Sequence, residues 1–249
     1  MTFPSRLLFF MALALMGALM PLAGLFADEL EREPGLVLVS TIKGAIGPDT
    51  SKQIEDAIAK AEERNAEALV LRIDTPGGLV TSTRDIVSAI LASDVPIAGY
   101  VWPSGGHAAS AGTFIIYSTG IAAMAPGTNI GAATPVIMGG GGMPGTPQQP
   151  PARPGEPDGE RSTPSNEEAL SKKATNDAAA LIKSLAETHG RNAEWAEEAV
   201  REGSSLSARE ALEKGVVEIV ASDIDSLLAQ MDGREVVTAS GTKVLATEG

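Results

Sequence analysis

The sequence predicts an α/β fold built on a mostly parallel sheet. Short apolar runs rich in Val and Ile alternate with stretches whose apolar residues recur at helical spacing. Two glycine-rich loops, 74–78 and 103–112, each follow an expected strand and precede an expected helix. In a parallel sheet such loops gather at the carboxyl ends of the strands, so both belong on one edge.

Taken in order, 35–42 (G-L-V-L-V-S-T-I) reads as a strand. Gly47-Pro48-Asp49-Thr50 opens a helix to about Arg64, with Ile54, Ala57, Ile58 and Ala61 at helical spacing. A second strand covers 68–73 and ends in Asp74-Thr75-Pro76-Gly77-Gly78, and a second helix runs over 79–91. Residues 96–102 form a third strand, Ser110 begins the following helix, and 121–125 form a fourth strand. From about 138 to 166 glycine and proline dominate. Such a segment builds no core and is expected to be a disordered insert, either a linker or a loop over the site. A long helix over 167–189 follows, then a helix at 193–202. Ser207-Ala208-Arg209-Glu210 is a capping box opening a short helix. Residues 216–220 are expected as a strand, 224–231 as a helix, and 236–244 as an edge strand or hairpin.

At 249 residues the chain is long enough for one good-sized core with appendages. Hydrophobic residues make up 43% and aromatics only 4%, so the core is mostly Ala, Val, Ile and Leu. A net charge of −13 argues against a nucleic-acid partner, which calls for a basic face. Cysteine is absent, which excludes disulfides, thiol catalysis and Cys-zinc sites; with two histidines, a His-rich metal site is not expected either. Residues 1–27 carry Arg6, an uncharged run and then acidic residues from Asp28. This is a secretory signal peptide or signal anchor, since about 20 apolar residues span a bilayer. The remainder, a domain over 35–245 interrupted by the insert, is expected on the periplasmic or extracytoplasmic face of the cell membrane.

The stretch P-S-G-G-H-A-A-S-A-G-T (103–113) places Ser110 among small residues at a helix start, where backbone N–H groups are unspent. Ser110 is read as a nucleophile, which needs a base. His107 lies on the entering loop with its ring expected to point away from the hydroxyl, as a loop residue or a substrate contact. His189 precedes Gly190 at a helix end. A lysine can serve if burial favours its neutral form. Taking Leu170, Ala174, Ala178, Leu181 and Leu185 as the apolar face of the long helix, Lys173 sits on its flank, half buried against the sheet, and Lys172 points to solvent. The N–H of Ala111 and that of Gly78 or Gly77 are candidate oxyanion donors.

The stretches I-D-T-P-G-G (73–78), P-S-G-G-H-A-A-S-A-G-T (103–113) and M-A-P-G-T-N-I-G-A (124–132) resemble the membrane-associated serine proteases of the NfeD family. So do K-K-A-T-N-D-A-A-A-L-I-K-S-L-A (172–186) with H-G-R-N (189–192), and S-L-S-A-R-E-A-L-E-K-G-V-V (205–217). The resemblance implies a ClpP/crotonase-like fold and a Ser-Lys dyad, with Ser110 as nucleophile and Lys173 as base. Gly78 and Ala111 become the oxyanion hole, supported by Gly77 and His107, and no cofactor is implied. ClpP itself uses a histidine some 25 residues after its serine; the region around Pro135 has none. By the same resemblance the substrate is a peptide or protein, a stomatin-like membrane protein cut in apolar segments, and the assembly a homodimer or larger homo-oligomer. Longer family members continue into transmembrane helices and a small β-barrel, so a chain stopping at Gly249 is expected to be a short form or a truncated product. A crotonase-like acyl-CoA enzyme, a non-catalytic scaffold for membrane complexes and a signal-peptide peptidase stay open as rivals.

Overall fold

The computed structural model describes residues 35–136 and 166–248. The expected export segment 1–27, and all but the last residue of the expected insert 138–166, lie outside the described residues. In chain order the elements are β1 (Val37–Lys43), α1 (Pro48–Glu63), β2 (Ala68–Asp74), α2 (Val80–Leu91), β3 (Ile97–Val101), β4 (His107–Ala109), α3 (Ala111–Ser118), β5 (Ile121–Met124) and β6 (Asn129–Gly131). After the gap come α4 (Asn166–Thr188), α5 (Ala193–Arg201), β7 (Ser205–Ser207), α6 (Ala208–Glu213), β8 (Ile219–Val220), α7 (Ile224–Met231), β9 (Glu235–Thr238) and β10 (Gly241–Val244).

The main sheet has the order β1-β2-β3-β5-β8, and every pairing in it is parallel. Its inner strands are buried on both faces, which is why they read as unbroken apolar runs. Along β2, Leu69, Leu71 and Ile73 enter one core, while Ala68 and Val70 enter another. The first core is closed by Ile54 and Ile58 of α1, Ile86 and Ile90 of α2, Ile115 of α3 and Ile182 of α4. The second is closed by Leu227 and Met231 of α7 and by Val236 of the β9–β10 hairpin. Each large aliphatic side chain removed from water in this way contributes about 1.5–3 kcal/mol.

A second sheet, β4-β6-β7, stands at the carboxyl edge of the first. β4 runs parallel to β6, and β6 antiparallel to β7. Single bridges, Thr75 to Ala108 and Ile46 to Gly78, continue it toward the loops that leave β2 and β1. This sheet was not expected from the sequence. Its strands have three residues each, too few to show a period of two. The expected strand at 216–220 shortens to Ile219–Val220, because Val216 and Val217 donate to the Ala211 carbonyl and close the turn after α6.

Candidate active site

Ser110 occupies the junction between β4 and α3, as the N-cap of that helix, with φ 50° and ψ −112°. For a residue with a Cβ this is a sparsely populated conformation, retained only where the surroundings over-determine it. Here they do. Ser110 N–H donates to the Gly131 carbonyl at 3.2 Å, and the Ser110 carbonyl accepts from Thr113 N–H at 3.0 Å. The Thr113 hydroxyl donates to the Ala108 carbonyl at 3.0 Å. A strained strand-to-helix turn of this kind lifts a hydroxyl out of the backbone crowd.

The β2–α2 loop lies against that turn. Thr75 N–H donates to the His107 carbonyl at 2.8 Å and Ala109 N–H to the Thr75 carbonyl at 3.0 Å, so the two glycine-rich loops share one edge, as expected. Gly77 has φ 117°, and a Cβ on it would lie 2.6 Å from Ser110 Cβ. Gly78 is crowded from the other side: a Cβ there would lie 2.0 Å from the Ile46 carbonyl oxygen. Both positions exclude any side chain.

A cavity of about 100 Å³ opens at this point, with Ser110, Gly78 and Ala111 on one wall. Phe114, Ala133, Ala178 and Leu181 make the remainder apolar, and Arg84 of α2 pairs with Asp177 of α4 at its margin. Neither Gly78 N–H nor Ala111 N–H donates to an acceptor among the described residues. Ala111 is the first residue of α3, where the positive end of the helix dipole adds to its N–H. Two unspent donors beside a serine hydroxyl in an apolar cavity suit an oxyanion developing on an attacked carbonyl.

Lys173 is solvent-exposed on α4, one residue before Ala174, which lines the cavity. No hydrogen bond joins it to Ser110. The half-buried placement expected for it is therefore corrected. The buried face of α4 is made by Ala179, Ile182, Leu185 and Ala186, whereas Leu170, counted into that face from the sequence, is 60% exposed. At about 100° per residue Lys173 lies opposite Ile182. His107 sits in β4 with its ring Nδ1 3.4 Å from Asp74 Oδ1, and its backbone N–H donates to the same oxygen at 3.2 Å. The ring nitrogen thus faces the Asp74 carboxylate, and the residue stands in a strand rather than on the loop expected for it.

Sequence reasoning gave Arg191 no role. Its guanidinium is buried, donates to the Ile116 and Tyr117 carbonyls at 3.1 Å each, and forks onto both oxygens of Glu218. It therefore fixes the far end of the helix whose first turn carries Ser110, with a cation at the negative pole of the dipole. The signal was present in H-G-R-N, directly after a helix end. His189 lies beside it. Burial, and then the Arg191 charge, push its pKa down to about 4.

No group of three or more metal-ligating side chains occurs among the described residues. None of the described helices is long and apolar enough to cross a membrane.

A parallel sheet with a strained serine where β4 meets α3, and with Gly78 and Ala111 lining the same cavity, defines an α/β domain of ClpP-like fold. Residues 36–147 match the family model for the N-terminal domain of NfeD1b. The chain is 40% identical over 198 residues to a membrane-bound protease of Pyrococcus horikoshii, covering 80% of this chain and 40% of that protein. It is 32% identical over 101 residues to the membrane protein NfeD1b of Bacillus subtilis, covering 41% of this chain and 22% of that one. Among solved structures, the 1510-N membrane-bound stomatin-specific protease with a serine-to-alanine substitution superposes with a TM-score of 0.71 at 38% identity, over 87% of this chain and 94% of that one. A lysine-to-alanine form of the same protease, in complex with a substrate peptide, gives 0.70 at 38% identity, over 87% and 89%. This chain belongs to the NfeD family. It spans about two fifths of the length of the curated Pyrococcus relative it matches.

Proposed function

We propose that this chain is an exported, membrane-associated serine endopeptidase working through a Ser110–Lys173 dyad. The observation that carries the reading is Ser110 at its strained turn, facing the unspent N–H groups of Gly78 and Ala111 across an apolar cavity. Neutral Lys173 takes the hydroxyl proton, and Ser110 Oγ attacks the peptide carbonyl carbon. The Gly78 and Ala111 N–H groups hold the oxyanion. The Lys173 ammonium then protonates the leaving amine, and water hydrolyses the acyl-enzyme. This requires the first turns of α4 to carry Lys173 from solvent to the cavity, whose wall begins at Ala174. Because the base must be neutral, activity rises with pH into the alkaline range.

A stomatin-like membrane protein cut in an apolar segment is the proposed substrate. The apolar cavity wall supports it, as does the specificity of the 1510-N membrane protease of Pyrococcus horikoshii for a stomatin homologue. The apolar run before Asp28 supports export to the periplasmic or extracytoplasmic face. The exposed Lys173 favours one rival, a non-catalytic scaffold with a dormant serine. A serine-directed acylating probe separates the two: wild type is labelled and Ser110→Ala is not, at unchanged thermal stability. A wild type that resists labelling and leaves apolar peptides uncut rejects the peptidase.

A further inference from the structure

The loop that presents Gly78 is held by a side chain to which the proposed reaction gives no part. Thr75 is fully buried directly after β2. Its hydroxyl oxygen accepts from Gly77 N–H at 3.1 Å. Its single hydrogen has two acceptors in range, the Gly44 carbonyl at 2.6 Å and the Gly77 carbonyl at 3.3 Å, and the shorter distance assigns it to Gly44. One hydroxyl thus ties the β2–α2 loop to the connector that leaves β1.

That connector then grips the peptide that matters. Ile46 N–H donates to the Gly77 carbonyl at 2.9 Å, and Leu79 N–H returns to the Ile46 carbonyl at 2.9 Å. The Gly77–Gly78 peptide is trans, so its carbonyl and its N–H point in opposite directions. With the Gly77 carbonyl pinned on Ile46, the Gly78 N–H is driven the other way, to the side where Gly78 and Ser110 line the cavity.

We infer that Thr75 is a positioning residue for the oxyanion hole: its hydroxyl locks the Gly44–Ile46 connector to Gly77 and thereby aims the Gly78 N–H at the carbonyl attacked by Ser110. The inference rests on the proposed acyl-transfer reading. The Thr75 methyl has a separate duty. A Cβ on Gly112 would lie 2.7 Å from Thr75 Cγ2, so the methyl packs against the first turn of α3. Hydroxyl and methyl can therefore be tested apart.

Thr75→Val keeps the shape and removes the hydroxyl; Thr75→Ser keeps the hydroxyl and removes the methyl. Steady-state cleavage of an apolar peptide, and inhibition by a peptide aldehyde that forms a tetrahedral adduct, are measured for both beside wild type and Ser110→Ala. Thr75→Val is expected to lower kcat about 10- to 100-fold with KM within twofold, and to weaken the aldehyde in parallel, because a misaimed donor costs transition-state binding only. Thr75→Ser is expected to retain kcat within about threefold. Unchanged kcat in Thr75→Val overturns the inference. So does a large loss in folded Thr75→Ser, a result that stays readable even where Thr75→Val does not fold. Wild-type activity that persists in Ser110→Ala would instead reject the underlying reading.

Discussion

The loops around Ser110 and the first turns of α4 hold the two partners of the proposed dyad, and they are built in opposite ways. Around Ser110 backbone hydrogen bonds, joined by those of the Thr75 and Thr113 hydroxyls, tie four chain segments together, and Gly77 and Gly78 have no room for a methyl group. On α4, Lys173 stands in solvent and Leu170 beside it is 60% exposed. Position along the helix accounts for the contrast. Its second half, from Ala179 to Ala186, is buried against the core, while the first turns run past it. In the proposed mechanism the nucleophile and oxyanion donors are thus pre-organised, whereas the base must be brought to them. Pre-organisation is where most of the electrostatic stabilisation of an acyl-transfer transition state originates.

The sharpest way to break the comparison is Lys173→Ala. General-base loss is expected to cut the cleavage rate about 10²- to 10⁴-fold. Stability should stay within about 0.5 kcal/mol, because an exposed side chain away from packing is being trimmed. Full activity in this variant would remove the lysine from the mechanism and leave Ser110 in need of another base.

Gly78→Ala attacks the rigid half. Its Cβ would collide with the Ile46 carbonyl, so the loop must shift, the donor is displaced, and about 2 kcal/mol of stability is lost as backbone strain. The rate should fall about 10²-fold, read by peptide cleavage alongside thermal melting. Wild-type behaviour in both assays would show that the loop is not the fixed frame described here.

A smaller effect tests the anchor at the far end of α3. His189 has its pKa lowered from 6.5 to about 4 by burial, so between those values the unfolded chain binds more protons than the folded one. Stability is then fully present above about pH 6.5 and declines as pH falls toward 4. The loss attributable to His189 is about 2 kcal/mol, allowing for partial exposure, and should vanish in His189→Gln. Denaturant unfolding at pH 7 and pH 4.5 reads it. A pH dependence unchanged in the variant would place the acid sensitivity elsewhere.

Much of this molecule was legible from its residues. The strands of the parallel sheet and their helices announced themselves by apolar runs and helical spacing, and boundaries moved by only one or two residues at most elements. The capping box at Ser207 appears as read, with Ser207 N–H donating to Glu210 Oε2 at 3.0 Å. That the loops carrying Gly77, Gly78, Ser110 and Ala111 meet at one edge was legible, because both follow strands of a parallel sheet. The second sheet was not, since three-residue strands carry no periodic signal and pair with segments far along the chain. The burial of Lys173 was misjudged for a related reason. A helical wheel gives the relative angles of side chains, but which arc is buried depends on how far the partner core extends, and Leu170 lies beyond it.

What the sequence alone determined is therefore the set of local commitments: the βα alternation, the caps, and a serine set where only small neighbours fit. These follow from sterics and hydrogen bonding within a few residues. The tertiary structure alone decided which way the Gly78 N–H points, that Thr75 and Arg191 brace the Ser110 turn and its helix, and that Lys173 stands in solvent. Those outcomes depend on hydrogen bonds and packing between segments remote in sequence, whose geometry no local pattern encodes.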